Sequence, residues 1–436
     1  MYMGCEGRAM KRRNIIALGC AAFAVASSWV GTADARTAQG ARPSVRTVLT
    51  GIDGTIAAAS AGAKRLIVVG KDDHNAQAGA ASYALVDTVG DRVVARGSTG
   101  HAIDLAAIDR AHGRAYLLTD VATTDAQYRT TYSLPLWTLD LRTGRVLSQR
   151  SILSGAQAKV PDALGVDEAT GDLVLAAHLL YQTTRAEVIQ VDPATMETQT
   201  QALPAAASAI MVDGAARRVV ASSTIGAYPA TTTLTAFQTG SLQQRWTRAY
   251  TYSLTASAMD DRAHRVWAVA PGGRVTALDI ATGREAAQMR LAYTRVGTFD
   301  QRGVALDSAH SAAYLVWQEG YGSACHIDRA DVRSGERRTI STYDCTATGA
   351  KLLGYDPTHA ALVIGGGDTL AAVNPRTGAA VSTTTNLLSL ATNHTWDQAV
   401  VLTANGRTSV AVPNEVAHQD DETGATTAGA IVFVSL

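Results

Sequence analysis

The sequence predicts an all-β protein, a β-propeller of four-stranded antiparallel blades, with eight blades favoured and seven as the alternative. Three observations lead to this fold. A phrase of small or apolar residues, then an Asp, then an apolar strand about five positions later recurs along the chain. Its period lies in the forties, and no helical periodicity accompanies it, a combination typical of propellers. Six copies keep the Asp: Asp109, Asp167, Asp213, Asp260, Asp307 and Asp356.

Two degenerate copies complete the count of eight. Ser60 takes the place of the Asp in the first copy, and Asn393 takes it in the last. The eight positions are spaced by 49, 58, 46, 47, 47, 49 and 37 residues. If the short last interval reflects a unit merged with its neighbour, the ring has seven blades.

Each unit resolves into four strands, and its turns repeat as well. In the fifth unit the strands are SLTASAM, RVWAVA, RVTALDI and EAAQMRL. An Asp or Asn opens the turn between the third and fourth strands, where it can bond its own backbone. These turn residues are Asp140, Asp192, Asp279 and Asn374. Four histidines recur in the turn between the first two strands, which indicates turn residues rather than ligands: His112, His264, His310 and His359.

The two ends of the chain fit a closed ring. The eighth unit shows strands near Ala399 to Thr403 and Ala430 to Leu436, with no fourth strand after them. A strand without a partner, Ser44 to Leu49, precedes the first repeat. We expect it to complete the last blade, because this pairs two sheet edges that would otherwise stay exposed.

Composition excludes several classes of function. The 436 residues are 47% hydrophobic, enough to bury a large core, and 38 basic residues balance 38 acidic ones. A balanced charge argues against a nucleic-acid binder and against a polybasic membrane binder. We therefore expect no nucleic-acid partner.

Residues 1–35 resemble a signal peptide, which leaves residues 36–436 as a single propeller domain. An apolar stretch, Ile15 to Val30, is followed by the small-x-small pattern of Ala33 and Ala35. The basic group before the stretch is Lys11, Arg12 and Arg13. The mature protein is expected to be exported, periplasmic or extracellular, with no transmembrane segment. A retained anchor and a lipoprotein acylated at Cys20 are the alternatives.

Only Cys325 and Cys345 remain in the mature chain, and an oxidising compartment favours one disulfide between them. Gly335 lies midway between the two, so a hairpin turning there places them opposite each other. Closing a loop of about 20 residues would stabilise the fold by roughly 3 kcal/mol. Two free thiols or a metal site remain the alternatives.

The repeats resemble those of the YVTN-repeat, YncE-like propeller family. Tyr116 after Arg114, and Asp279 followed by Thr282-Gly283, match its pattern. The resemblance implies an exported propeller, and most members of that family lack an assigned activity. It covers most of residues 44–436 and carries fold more than function.

At the level of the repeat the chain also resembles the propeller subunits of quinoprotein amine dehydrogenases. Enzymes with pyrroloquinoline quinone carry the repeat Ala-x-Asp-x-x-x-Gly-x-x-x-Trp, whose start matches Ala277-Leu278-Asp279 and Gly283. Ala287 stands where that repeat has its Trp, and adjacent cysteines are absent. We predict no cofactor; pyrroloquinoline quinone or a divalent cation is an alternative that no motif supports.

Three long connections between second and third strands are the candidate site, because loops of adjacent blades gather on one face. They are residues 71–81, 120–133 and 405–429, in blades one, two and eight. Their carboxylates and histidines suit a divalent cation or acid–base chemistry, although flexible solvated loops are the simpler interpretation. The candidate ligand-binding residues are Asp72, Asp73, His74, Tyr128, Arg129, Tyr132, Glu415, His418 and Asp420.

Basic residues near the axis form a second candidate, a channel mouth that suits an anionic ligand. They fall on predicted connections from a fourth strand to the next first strand: His101, Lys159, Arg295 and Arg302.

The sequence therefore favours an exported binding or scaffold propeller whose top face takes a protein, a glycan or a small molecule. The alternative is a quinoprotein-dehydrogenase-like or lactonase-like enzyme with its active site on the same face. No catalytic residue is assigned, because no nucleophile or metal motif is present.

Protein recovered from the exported fraction should begin near Arg36, because cleavage after Ala35 follows the small-x-small pattern. N-terminal sequencing of that fraction tests this. Finding Met1 or Met10 still attached in exported protein would contradict the signal-peptide prediction.

Overall fold

Eight four-stranded antiparallel sheets follow one another along the chain and form a β-propeller. The computed structural model describes residues 44–52, 54–70, 81–226, 230–254, 256–270, 274–290, 299–307, 309–310, 312–319, 325–331, 336–343, 351–366, 369–384, 399–404, 407–420 and 424–436. The predicted fold class and the count of eight blades are confirmed.

The first half of the ring is built from β1 to β18. Their bounds are β1 Val45–Leu49, β2 Gly54–Ser60, β3 Arg65–Gly70, β4 Ser82–Asp87, β5 Arg92–Ser98, β6 Ile103–Asp109, β7 Arg114–Thr119, β8 Val121–Thr124, β9 Thr130–Asp140, β10 Val146–Gly155, β11 Lys159–Asp167, β12 Asp172–Leu179, β13 Gln182–Val191, β14 Thr198–Leu203, β15 Ala207–Asp213, β16 Arg218–Ile225, β17 Thr231–Gln238 and β18 Gln244–Tyr250.

The second half is built from β19 to β33. Their bounds are β19 Ala256–Asp260, β20 Arg265–Ala270, β21 Arg274–Asp279, β22 Glu285–Arg290, β23 Phe299–Asp307, β24 Ala312–Glu319, β25 Cys325–Asp331, β26 Arg337–Tyr343, β27 Lys351–Asp356, β28 Ala361–Gly366, β29 Thr369–Val373, β30 Ala380–Thr384, β31 Val400–Ala404, β32 Arg407–Asp420 and β33 Gly424–Ser435.

Each blade pairs four strands in order, and its first strand is innermost, next to the first strand of the neighbouring blade. Blade one is β2–β5, blade three β11–β14, blade four β15–β18, blade five β19–β22, blade six β23–β26 and blade seven β27–β30. Blade two is β6, β7, β9 and β10, with β8 as an extra strand on β9. Blade eight is β31–β33 completed by β1.

The hydrophobic core is divided among the interfaces between blades. The buried side chains of the described residues form eight clusters, and each cluster joins two neighbouring blades. Between blades two and three, for example, Tyr116 and Leu118 pack against Leu173 and Leu175, and all four are fully buried. Burying one such side chain contributes about 1.5–3 kcal/mol, so every interface stabilises the ring.

The N-terminal strand closes the ring as predicted. β1 pairs antiparallel with β33 over Val45↔Val434 to Leu49↔Ala430. Val48 of this strand lies in the cluster between blades eight and one, where Phe433 is also buried. Closure therefore joins residues from the two ends of the sequence through both hydrogen bonds and packing.

The six repeated Asp residues are buried, at 0–3% exposure, where each innermost strand turns into the second. A carboxylate oxygen of each accepts a backbone N–H of its own turn; Asp109, for example, accepts that of His112 at 3.0 Å. Ser60 fills the same role in blade one, because its Oγ accepts the N–H of Ala63 at 3.2 Å. The prediction that these positions are structural turns is confirmed.

The repeated histidines also belong to these turns. Nδ1 of His310 lies 2.7 Å from Asp307, and Nδ1 of His359 lies 2.6 Å from Asp356, each within one turn. His264 of blade five instead reaches back to Asp213 of blade four at 2.8 Å. The imidazole of this turn can therefore connect adjacent blades.

The turns between third and fourth strands are closed by their first side chain. Asp279 Oδ1 accepts the N–H of Thr282 at 2.8 Å and its hydroxyl at 2.7 Å. In blade seven the amide oxygen of Asn374 accepts the N–H groups of Arg376 and Thr377. Gly283, at φ +67°, supplies the left-handed backbone that this turn needs.

The first strand of blade eight differs from the prediction. It is β31, which pairs with β32 over Val400↔Ala411 to Ala404↔Arg407, and Asn393 lies outside the described residues. The stretch near 399–403 is thus the innermost strand and not the second one. Its end, Ala404, lies 48 residues after Asp356, so the interval matches the other blades and the count of eight is kept.

The predicted register around the two cysteines was wrong by two residues. In the hairpin of β25 and β26 Cys325 stands opposite Tyr343, because the pairs nearest the turn, such as Ala330↔Arg337, are centred before Gly335. A bulge between Ile327 and Asp328 shifts the pairing by one residue toward Cys345, which is not enough to bring the two cysteines into register. Cys345 lies outside the described residues, so the disulfide stays a prediction.

A Cys325–Cys345 bridge should appear in non-reducing peptide maps of exported protein. Cys345→Ala should lower the melting temperature, because a closed loop of about 20 residues contributes roughly 3 kcal/mol. Reduced wild-type protein is the matched control and should melt like the variant. Two thiols that alkylate freely in the non-reduced protein would rule the bridge out.

Asp279→Asn should leave the free energy of unfolding at neutral pH within about 0.5 kcal/mol of the wild type, because Asn374 makes equivalent bonds in blade seven. Asp279→Ala should lose about 1 kcal/mol, since it removes the acceptor. Urea unfolding at about pH 7 measures both variants.

The same residue predicts an effect of acid. Hydrogen bonds from Thr282, its hydroxyl first, hold the pKa of Asp279 below its ordinary value of 3.8. A lowered folded-state pKa contributes stability above the unfolded-state pKa, and that stability is lost as pH falls through the folded-state pKa. On acidification from about pH 5 to about pH 2, the wild type should therefore lose more stability than Asp279→Asn. Equal losses would show that the charge contributes nothing.

Candidate functional site

The top face is the side of the ring on which the second strand of each blade connects to the third. The fourth strand of one blade connects to the first strand of the next on the same side. The buried Asp turns and the turns that open with Asp140 or Asp279 lie on the opposite, bottom face. The predicted separation of structural turns from the candidate site is thus present in the fold.

The connection of blade eight is a two-stranded ribbon, not the predicted loop. Pairing of β32 with β33 runs unbroken from Asn414↔Ala430 to Asp420↔Gly424. β31 pairs with β32 only as far as Ala411, and β1 pairs with β33 only from Ala430 onward. The six outer pairs, from Glu415↔Gly429 to Asp420↔Gly424, therefore extend about 20 Å past the blade, and no described strand pairs with either edge of them. We call the paired residues 415–420 and 424–429 the ribbon.

Three candidate residues of blade eight lie on the ribbon. Their register is Glu415↔Gly429, His418↔Thr426 and Asp420↔Gly424. The sequence of this segment also has a distinct charge: the acidic residues between 415 and 429 are 415, 420, 421 and 422, and no Lys or Arg follows Arg407 in the sequence. A basic surface is the complementary partner for such a segment.

Blade two also extends beyond the ring, through β8 and the start of β9. They pair from Val121↔Ser133 to Thr124↔Thr130, so this connection is a hairpin rather than a loop. Tyr132 lies within the sheet, half-buried, opposite Ala122 of β8 and Gly155 of β10. Tyr128 and Arg129 lie in the tip of the hairpin.

Asp125 organises that tip. One oxygen accepts the N–H groups of Gln127 and Arg129, both at 2.9 Å, and the other lies 2.9 Å from Nε of Arg129. The backbone N–H of Arg129 is the main reason that the pKa of Asp125 lies below its ordinary value of 3.8. Tyr128 is 90% exposed, so the tip presents its ring on an ordered turn.

The remaining candidates divide into two groups. Asp72, Asp73, His74 and Arg295 lie outside the described residues. Arg302 lies inside the innermost strand β23, whereas the sequence predicted it on a connecting loop.

The position of Arg302 is part of a pattern around the ring. Four innermost strands carry a β-bulge five residues before their final Asp. A bulge inserts one extra residue and redirects its side chain. The bulged residues are all polar: Asp104, Asp162, Ser208 and Arg302.

At one of these bulges lies a polar pair that the sequence did not predict. Oδ1 of Asp162 lies 2.7 Å from Nδ1 of His178 on the next strand, and Oδ2 accepts the N–H of Ala207 in blade four at 3.3 Å. Burial raises the pKa of Asp162, and the neighbouring His178 opposes that rise. Pro161 was the available signal, because a Pro inside a strand marks a bulge.

The pair fits a structural role. Its carboxylate connects blades three and four, and among the described residues no hydrogen bond joins His178 to a Ser, Thr or Cys nucleophile. Nearby, Lys159 at the start of β11 forms an ion pair with Glu187 of β13. The charge of Lys159 is therefore matched within blade three, and the predicted basic channel mouth loses one of its members.

A metal ion or a quinone cofactor would need its own set of side chains. In the described ranges no three His, Cys, Asp or Glu side chains gather closely enough to hold a metal ion. Ala287, where the quinoprotein repeat has Trp, packs against a cluster already filled by Trp267 and Trp317. This interface between blades five and six does not fit that repeat.

No helix within the described part of the chain has the length and hydropathy to cross a membrane.

No family model matches the chain, and no curated protein matches it. Its fold is similar to that of the computationally designed protein Ika8, with a TM-score of 0.56 and 12% identity over 88% of this chain and 98% of that one. For BamB from Moraxella catarrhalis the TM-score is 0.53 and the identity 14%, over 91% of this chain and 98% of that one. For quinohemoprotein alcohol dehydrogenase from Comamonas testosteroni the TM-score is 0.57 and the identity 10%, over 90% of this chain and 76% of that one. At such identities the similarity establishes the propeller fold alone.

Proposed function

We propose that this chain is an exported, non-catalytic propeller that binds a basic partner protein at its top face. The observation that carries the proposal is the acidic ribbon of blade eight, which extends about 20 Å beyond the ring. Pairing within blade eight does not require such a length, because β31 pairs with β32 only as far as Ala411 and β1 pairs with β33 only from Ala430 onward. An extended, charged segment with unpaired edges is suited to contact a partner.

The distribution of polar groups supports binding over catalysis. The repeated Asp and His side chains of the bottom face are bonded inside their own turns or to a neighbouring blade. On the inner side, Asp162 and His178 bond each other, and Lys159 is paired with Glu187. These groups form bonds that stabilise the fold, whereas the ribbon and the tip of blade two extend from the ring and are placed to contact a partner.

The enzyme alternative rests on the similarity of the fold to quinohemoprotein alcohol dehydrogenases. Ala287 in place of the repeat Trp argues against it. An absorption band of the purified protein above roughly 300 nm, beyond the Trp and Tyr bands, would favour the alternative. A featureless spectrum in that range favours the binding protein.

Replacing residues 415–429 by an Asn-Gly turn should leave the melting temperature nearly unchanged. The pairs that hold β32 to β31 and β33 to β1 all lie outside the deleted segment, and short hairpin turns are well tolerated. The same variant, labelled and mixed with envelope extract, should no longer retain the partner that the wild type retains. Retention is measured by mass spectrometry of the captured fraction.

Two further variants make the test specific. Neutralising this segment with Glu415→Gln, Asp420→Asn, Asp421→Asn and Glu422→Gln should weaken retention and reduce its dependence on salt, because exposed charges are screened. Glu168→Gln is the matched control: it removes an acidic residue on the bottom face, where Glu168 pairs with exposed Arg110, and should retain the partner. Full retention by the shortened variant would place the binding surface elsewhere.

A further inference from the structure

The same four residue types, in the same counts, occur in a different order at the top of blades two and three, and the repeat of the fold does not require them. Blade two reads Gln127-Tyr128-Arg129-Thr130-Thr131, and blade three reads Tyr181-Gln182-Thr183-Thr184-Arg185. Both segments connect a second strand to a third strand on the top face. Two adjacent blades therefore place one Tyr, one Gln, one Arg and two Thr at equivalent ends of the sheet.

The two tyrosines are the most exposed large apolar side chains of the described residues, at 90% each. The other described tyrosines of blades one to four are far more enclosed; Tyr83, Tyr116 and Tyr250, for example, are buried. A Tyr ring left in water contributes nothing to the core, so burial does not explain its presence at either tip.

Both rings are held on strained backbone. Tyr128 has φ +60° and Tyr181 has φ +65°, in the left-handed region that costs a non-Gly residue about 1–2 kcal/mol. Blade four, on the same face, uses Gly226 at φ +82° after its second strand. Glycine would meet the backbone requirement without strain, so the choice of Tyr points to a use for the ring.

The surroundings define the chemistry of the ligand. The exposed neighbours are hydroxyl, amide and guanidinium groups: Thr123, Thr124, Gln127, Arg129, Thr131, Gln182, Thr183, Thr184 and Arg185. No exposed Leu, Ile, Val or Met lies in these described segments, although a protein interface normally has an apolar core. An isolated ring among hydroxyl and amide groups suits a sugar, whose ring carries a face of C–H groups and a rim of hydroxyls.

The charges of the two tips also favour an uncharged ligand. The only acidic residue of the two tips, Asp125, lies 2.9 Å from Nε of Arg129, so blade two presents a balanced pair. In blade three the guanidinium of Arg185 donates to the side-chain oxygen of Gln182 at 3.3 Å. With two Arg and one Asp, the two tips carry one net positive charge, too little to select a polyanion over an uncharged ligand.

We propose that Tyr128 and Tyr181 form a binding site for a neutral polysaccharide, which stacks on both rings and bonds the surrounding Thr and Gln side chains. The inference rests on the proposed function in one respect, that the top face is the binding face, and it adds a ligand class separate from the partner of the ribbon. A stacked Tyr loses little side-chain entropy on binding, since it has only two rotatable bonds.

The test is affinity electrophoresis of the full chain through gels that contain amylose, hydroxyethyl cellulose or glycol chitin. The wild type should be retarded by at least one of them. Tyr128→Ala and Tyr181→Ala should each weaken binding about tenfold, as expected for exposed aromatic anchors, and the double variant should migrate as in an empty gel. Tyr128→Phe should bind nearly as the wild type, because it keeps the ring.

Control variants separate the ring from the backbone. Tyr128→Gly and Tyr181→Gly keep the left-handed turn without a ring, so they should lose binding while the melting temperature stays equal or rises. Val381→Ala, at an exposed apolar residue of blade seven, should leave the retardation unchanged. These melting temperatures also show that a loss of binding is not a loss of fold.

Three results would overturn the proposal. They are no retardation of the wild type in any of the three gels, equal retardation of the Ala variants, or retention of a protein from envelope extract that depends on Tyr128 and Tyr181. The proposed function stands or falls separately, because its partner is lost on shortening the ribbon, whereas shortening the ribbon should leave retardation in the polysaccharide gel intact.

Discussion

A buried carboxylate at the end of six of the eight innermost strands is the interaction on which the ring depends. Six Asp residues occupy this place, and none is more than 3% exposed. A buried carboxylate is costly unless it is bonded, so each one constrains the turn that supplies its N–H donors. The first two strands of a blade are thereby held at a fixed separation before any packing between blades is considered.

Several of these carboxylates also extend the constraint to the next blade. Asp356 of blade seven accepts the hydroxyl of Thr408 in blade eight at 2.5 Å, and Asp213 of blade four pairs with His264 of blade five. Since one hydrophobic cluster lies at each interface, polar bonds near the bottom and apolar packing in the middle act on the same pairs of blades. Neither alone would set both the spacing and the orientation of neighbouring sheets.

This arrangement explains why function belongs on the top face. Turns on the bottom face are occupied by bonds that the fold needs, and changing them costs stability. On the top face the second and third strands can lengthen without disturbing the ring, as in blades two and eight. The same residue type consequently has different roles: Asp125 orders an exposed tip, whereas Asp162 is enclosed and connects two blades.

The sequence by itself determined the blade count, the buried Asp turns, the turns closed by Asp or Asn, and closure by the N-terminal strand. These features are local, or they recur, so a side chain and the few residues after it suffice to define them. The interval of 37 residues before Asn393 already departed from the period, and the 48 residues from Asp356 to Ala404 restore it. Only the tertiary structure decided which stretch becomes the innermost strand of blade eight and that Cys325 faces Tyr343. It also decided that the long connections of blades two and eight are paired strands and not loops. The same holds for the bond of Asp162 to His178, 16 residues away, and to the backbone of Ala207, 45 residues away. Such features depend on strand register and on bulges, and these are set by which side chains fit between neighbouring sheets rather than by any pattern within one segment.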